Sequence, residues 1–327
     1  MAISKNIIQQ FQNKESFAQE EICKRINFGH DSVVGNIRPE VELAFCLAFK
    51  QPTRLDAASF LESIDPSWVR AFPIRALQRK GYIPESAKEL DLTRAVLGFM
   101  GVGGIEGFNN YYAAALNSAN PQTYAAWVRM GELSVKRTTG EFALDRELLL
   151  RNLKFLCQNS ILFASAKKKN LRATTREVLQ SSGIEFIEME PFLTAPLPTC
   201  ACYWVGSKPV VQVSTTEMDD SKFLEAVFHA VGHILLHPKR TMCLIAPQRA
   251  SNIISEKCSA AAQFAQNLLL SEARECELIC GGHFEDPKCI RHFSGVFHVR
   301  PGILVERLQQ QGKIPRRSPL NEFKQAV

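Results

Sequence analysis

The chain has 327 residues, 46% hydrophobic and 22% charged, with a net charge of +6 from 39 Lys plus Arg against 33 Asp plus Glu. That balance suits two or three globular domains with a real core, and it excludes a disordered tail, a disulfide mini-scaffold and a collagen-like chain. No apolar run reaches the ~20 residues that a bilayer span needs. The opening stretch MAISKNIIQQFQNKESF is broken by Gln and Asn, unlike a signal peptide, so a soluble cytoplasmic protein with no membrane partner is expected.

Residues 1–60 read as short helices. SFAQEEICKRI and RPEVELAFCLAF carry apolar residues at three- and four-residue spacing, separated by Gly29, Gly35 and Pro39. A module of this size fits a degenerate helix-turn-helix, although neither the small turn nor a polar recognition helix is evident. DNA is therefore one partner to test, and the pI of about 8.8 is in keeping with it.

From 61 to 165 the amphipathic helical pattern continues as a linker domain, each piece bounded by Pro, Gly or Asn. The glycine-rich stretch Gly101–Gly107 follows no strand and lacks the dinucleotide fingerprint, so it reads as a helix–helix connection. The basic run Lys167–Lys169 with Arg172 marks the next boundary. It and the pair Arg316 and Arg317 read as solvated faces at least as readily as phosphate contacts.

From 166 to 327 the period changes. After one helix, NLRATTREVLQSSG, come three β-type runs, GIEFIEM, CACYWVG and KPVVQVST. KFLEAVFHAVGHILLHP then reads as an apolar helix stopped by Pro238, and KCSAAAQFAQNLLLSEAREC as another. DPKCIRHFSGVF and PGILVERLQQQGKI follow. Short strands ahead of long helices predict an α+β domain.

Ten cysteines without a secretory signal suggest reduced thiols, which can ligate metal where their spacing allows. Cys200 and Cys202 form a C-x-C, which is not a standard zinc knuckle. Cys276, Cys280, His283, Cys289 and His292 fall within 17 residues but match no common finger spacing, and a metal-free helix and turn fits them too. On the apolar helix His229 and His233 are four apart, which stacks two imidazoles on one face. That is the spacing for one zinc, and equally that of two satisfied core residues. His237 is a further turn on, too far along a straight helix to share the ion, and is expected to cap the helix end. In the peptidase pattern H-E-x-x-H the second residue activates zinc-bound water. Here the string is His229-Ala230-Val231-Gly232-His233, so the spacing is present and the base is absent.

At these residues the chain resembles the ImmA/IrrE family of regulatory zinc metallopeptidases. VGSKPVVQVSTTEMDDSKFLEAVFHAVGHILLHPKR is similar to that family's strand, polar stretch and F-x-x-x-H-E-x-G-H helix. CSAAAQFAQNLLL is similar to its E-x-x-A-x-x-F-A-x-x-L-L helix. VRPGILVERLQQQGKI resembles the ending of the long HigA-like antidote proteins, and WVRAFPIRALQRKGYIP and YAAWVRMGE resemble their helical linker. The resemblance spans most of residues 60–327. It implies a zincin-like domain over 166–327 with a small sheet and an HxxxH helix.

The resemblance also implies metal ligands at His229, His233 and Cys258, the last at the place of the family's glutamate ligand, where cysteine is either a ligand or an apolar replacement. Ala230 stands at the place of the catalytic glutamate. A general base is worth ~10²–10⁴ in rate, so no active peptidase is expected as written. Glu256 lies about 200° round the helix from Cys258 and is a poor substitute. The expectation is a catalytically silent regulatory protein of the antitoxin or repressor-regulator type, with zinc as its cofactor and a repressor, toxin or peptide segment as partner. Two alternatives stay open: a zinc endopeptidase present as a Glu-to-Ala form at 230, and a DNA-binding regulator with a sensor domain.

Overall fold

The structure, a computed structural model, describes residues 18–28, 39–51, 53, 55–113, 116, 120–135, 144–158, 171–193, 198–237, 242–245, 256–282 and 284–327. In chain order the first elements are α1 (Gln19–Ile26), α2 (Pro39–Phe49), α3 (Ala58–Glu62), α4 (Pro66–Arg70), α5 (Ile74–Arg79), α6 (Glu89–Met100) and α7 (Ile105–Phe108). A π-turn at Asn109–Ala113 follows. Then come α8 (Pro121–Ser134), α9 (Arg146–Gln158), α10 (Leu171–Ser181), β1 (Glu185–Met189), β2 (Cys200–Val205), β3 (Lys208–Ser214) and α11 (Asp220–Leu236). The last are β4 (Cys243–Ile245), α12 (Glu256–Leu269), α13 (Glu272–Cys280), α14 (Pro287–Phe297), α15 (Pro301–Gln310) and a 3₁₀ turn at Pro319–Phe323. The protein is α+β, mostly helical around one small mixed sheet.

The three expected strands form, and a fourth joins them. The sheet order is β1-β3-β2-β4, with β1 parallel to β3 and the other pairs antiparallel. Gly206, at φ +64°, turns the β2–β3 hairpin in a conformation that costs glycine no Cβ clash.

Successive strand residues face opposite ways, and here both faces are covered. Ala201, Tyr203, Val205 and Val210 join a core with the helices of residues 58–135. Cys200, Cys202, Trp204, Val211 and Val213 join a second core with α9–α12. On the first face α8 lies close against the sheet: a Cβ on Gly131 would stand 1.9 Å from Gln212 Oε1. Gln212 Nε2 donates to the Trp127 carbonyl at 2.9 Å, and Tyr203 donates to Gln212 Oε1 at 2.6 Å.

Helices α1 and α2 pack through Ile22, Ile26, Val41 and Phe45. Residues 29–38, where a helix-turn-helix turn would lie, fall outside the described residues, as does the Lys167–Lys169 run. Arg25 of α1 is fully buried. Its guanidinium donates to Glu21, to Glu132 at 3.0 Å, to Tyr112 and to the Met100 carbonyl. Arg172, grouped above with the surface lysines, is instead buried, donating to Glu188 and to the Ser214 carbonyl, both at 3.1 Å. An arginine whose donors reach strand carbonyls gains more from those bonds than from solvent.

The single helix expected over KCSAAAQFAQNLLLSEAREC is two. Leu270 turns into a separate core with Leu278, Ile290 and Leu304, and Ser271 is extended (φ −66°, ψ 153°), which ends α12 and starts α13. Among the described residues, no helix is long and apolar enough to cross a membrane.

Candidate metal centre

Helix α11 is anchored at its start. Asp219 is the N-cap, its carboxylate accepting from the Lys222 backbone N–H at 3.0 Å. Asp220 is buried and paired with Arg300 at 2.9 Å, and Asp220 N–H donates to the Gln325 carbonyl at 2.8 Å. From there the apolar positions Phe223, Leu224, Val227, Phe228, Ala230 and Val231 face the second core. Ala230 has no exposed surface.

Gly232 lets α12 approach. A Cβ there would lie 2.8 Å from the Ala261 carbonyl oxygen and 3.1 Å from the Phe264 ring. One turn back on each helix from that contact are His229 and Cys258. Cys258 Sγ stands 3.4 Å from His229 Nε2, and the Nε2 atoms of His229 and His233 are 3.2 Å apart with their rings stacked. One ligand atom from each of His229, His233 and Cys258 lies within 4.8 Å of the others. The three residues expected to act together are thus brought together, by two helices crossing at a glycine.

A fourth group was not anticipated. Cys243 Sγ, on β4, is 3.2 Å from His233 Nε2, and its thiol also hydrogen-bonds the Cys258 sulfur. β4 pairs with β2 in a register that sets Cys243 opposite Cys202. The C-x-C at 200–202 therefore supplies the strand beside the site, with Cys200 and Cys202 themselves buried in the core.

His233 is buried, and its Nδ1 has no hydrogen-bond partner among the described residues. Burial pushes the His233 imidazolium pKa down, so the neutral, lone-pair-bearing ring is favoured. The Cys258 thiol is held well below the usual thiol range, chiefly by the hydrogen bond from Cys243 and then by those from His229 and His233, which together outweigh burial. Cys243 is pushed well up by that same bond and by its burial. A thiolate and neutral imidazoles are the forms that ligate a soft or borderline cation.

His237 is the C-cap of α11, as expected, and its Nε2 pairs with the Lys257 carbonyl at 2.8 Å instead of turning to the cluster. Glu256 is exposed at the start of α12. Of the C-terminal set, Cys276 and Cys280 are exposed on α13, and His283 lies outside the described residues. Cys276, Cys280, Cys289 and His292 form no metal-type group; among the described residues only His229, His233 and Cys258 do.

Compared with protein-family models, curated proteins and solved structures, the chain matches none. What the site does has to be read from its own atoms.

Proposed function

We propose that this chain is a catalytically silent, zincin-like regulatory protein of the ImmA/IrrE type. It holds zinc at His229, His233 and Cys258 and works by binding a partner protein, such as a repressor, a toxin or a peptide segment of one. The observation that carries this reading is the convergence of two imidazoles and a thiol on a helix whose residue 230, beside the first histidine, is an alanine. Two imidazoles and a thiolate make an ordinary zinc ligand set. A methyl group cannot take a proton from water, so the site has ligands without a general base. The long helical linker and the C-terminal helices that resemble antidote proteins supply the partner class.

Zinc per chain, measured by elemental analysis on the purified protein beside a His229→Ala control, tests the metal. About one zinc is expected, lost in the control; none in either would sink the metal half of this reading. The silent half is tested with candidate repressors and toxins: cleavage by the chain as it stands, abolished in His229→Ala, would overturn it. The endopeptidase reading gains no support from the burial of Ala230 among Val227, Phe228 and Val231. Metal-dependent cleavage by Ala230→Glu would revive it.

A further inference from the structure

We infer that Cys243 is the fourth ligand of a closed His₂Cys₂ zinc site, made by His229 and His233 of α11, Cys243 of β4 and Cys258 of α12. This deepens the proposed function and rests on zinc being held there.

The distances carry it. An ion bound tetrahedrally, with Zn–N of ~2.05 Å and Zn–S of ~2.3 Å, sets two nitrogens ~3.3 Å apart and a nitrogen ~3.6 Å from a sulfur. The corresponding separations are 3.2 Å for His229 Nε2 to His233 Nε2, 3.4 Å for Cys258 Sγ to His229 Nε2 and 3.2 Å for Cys243 Sγ to His233 Nε2. Each imidazole Nε2 therefore has one sulfur at ligand-to-ligand distance, and the two nitrogens face each other. Three of the four atoms already close within 4.8 Å, and the Cys243 sulfur stands 3.2 Å from one of them, His233 Nε2.

Charge argues the same way. Two imidazoles and one thiolate leave a zinc ion with net +1 in a half-buried place, which costs solvation free energy. A second thiolate brings the total to zero. The nearest carboxylate on the same face of α11, Glu225, is taken by the Gln310 amide at 3.1 and 3.2 Å. Zinc displaces the Cys243 thiol proton to solvent as the S–Zn bond forms, with no change of oxidation state.

A closed site has no position for a water or substrate oxygen, which catalytic zinc sites keep open. The loss of the base at 230 and the filling of the fourth position thus act in the same sense. The site becomes a staple joining α11, the edge strand β4 and α12.

The test replaces zinc with Co²⁺ in the full chain and reads the thiolate-to-cobalt charge-transfer absorption per bound ion. Cys243→Ser and Cys258→Ser should each halve it, the double variant should abolish it, and Cys202→Ser should leave it unchanged. A Cys243→Ser band equal to wild type, with Cys258→Ser losing all of it, overturns the closed site and leaves the three-ligand reading standing. No metal uptake by the wild-type chain overturns both. Because Cys243→Ser can fail to fold, X-ray absorption on the zinc-loaded wild type gives an independent sulfur count. Two sulfurs and two nitrogens support the inference; one sulfur with an oxygen overturns it.

Discussion

Two buried polar clusters lie in different parts of this molecule and differ in what they lack. Around Arg25 the charges are matched: Arg25 and Arg129 both meet Glu132 Oε2, at 3.0 and 2.8 Å, and Glu21 pairs with Arg25 at 3.0 Å. Tyr111 and Tyr112 add hydroxyls to the same carboxylates. Around His229 the groups are all donors of electron pairs, two imidazoles and two sulfurs, with no cation among them. The first cluster is complete as folded and holds α1 onto α8. The second, among the described residues, gathers electron-pair donors alone, as the proposed zinc ion would require. Burial alone does not make a site; an imbalance of donor type does.

The sharpest way to break the first cluster is Glu132→Ala, which leaves two buried guanidiniums without their shared partner. A loss of about 3–5 kcal/mol in urea unfolding is expected, and a loss below ~1 kcal/mol would mean that the charges are solvated some other way. The second cluster should respond to metal instead. Zinc at 100 times its dissociation constant should stabilise the chain by about 2.7 kcal/mol, and a chelator should remove that gain. His233→Ala should abolish this dependence while a folded Glu132 variant keeps it, both read by thermal melts.

Gly232→Ala bears on the second cluster through packing. Its methyl would press on the Ala261 carbonyl, forcing α12 outward at a cost of about 1–3 kcal/mol. Zinc affinity should fall with it, because Cys258 rides on that helix.

Asp219→Ala removes the cap of α11, at about 1 kcal/mol. Burial opposes the Asp219 charge, but hydrogen bonds from Ser221 and Lys222 outweigh it and hold the pKa below the usual aspartate value of 3.8. The carboxylate's contribution is therefore full above pH ~4 and lost as pH falls through the folded value. The variant's stability should change less with acid over that range. The smallest effect is expected at Cys276→Ser, on the exposed face of α13: within about ±0.5 kcal/mol, with zinc content unchanged.

Much of this was legible in the sequence. The β-type runs of 185–189, 200–205 and 208–214 form strands, and the HxxxH helix, the role of His237 and the meeting of His229, His233 and Cys258 were anticipated. What escaped was set by partners distant in the chain. β4 is only Cys243–Ile245, too short for a period of two to register, and it exists because β2 offers it an edge. Cys243 consequently stood outside the reading although it is ten residues from His233. Arg25 and Arg172 look like solvent-facing charges until the carbonyls and carboxylates that receive them are in place. Five Cys and His residues crowded into 17 positions match no common finger spacing, and those described do not gather in space. Proximity along a chain is weak evidence for ligation when helical geometry turns the side chains outward.

The pairing of Asp220 with Gln325 also sets an order of events during synthesis. The Gln325 N–H donates to Asp220 Oδ1 at 3.2 Å across 105 residues, and the Val327 N–H donates to the Met218 carbonyl at 3.0 Å. At ~5–20 residues per second a ribosome needs roughly 5–20 s to travel from one partner to the other. Over the first 80 of those residues Arg300 has not yet been made, so the Asp220 carboxylate lacks its ion-pair partner. The helix that carries both histidines is thus begun early and clamped late, and its two imidazoles are made seconds before the segment that fixes the helix start.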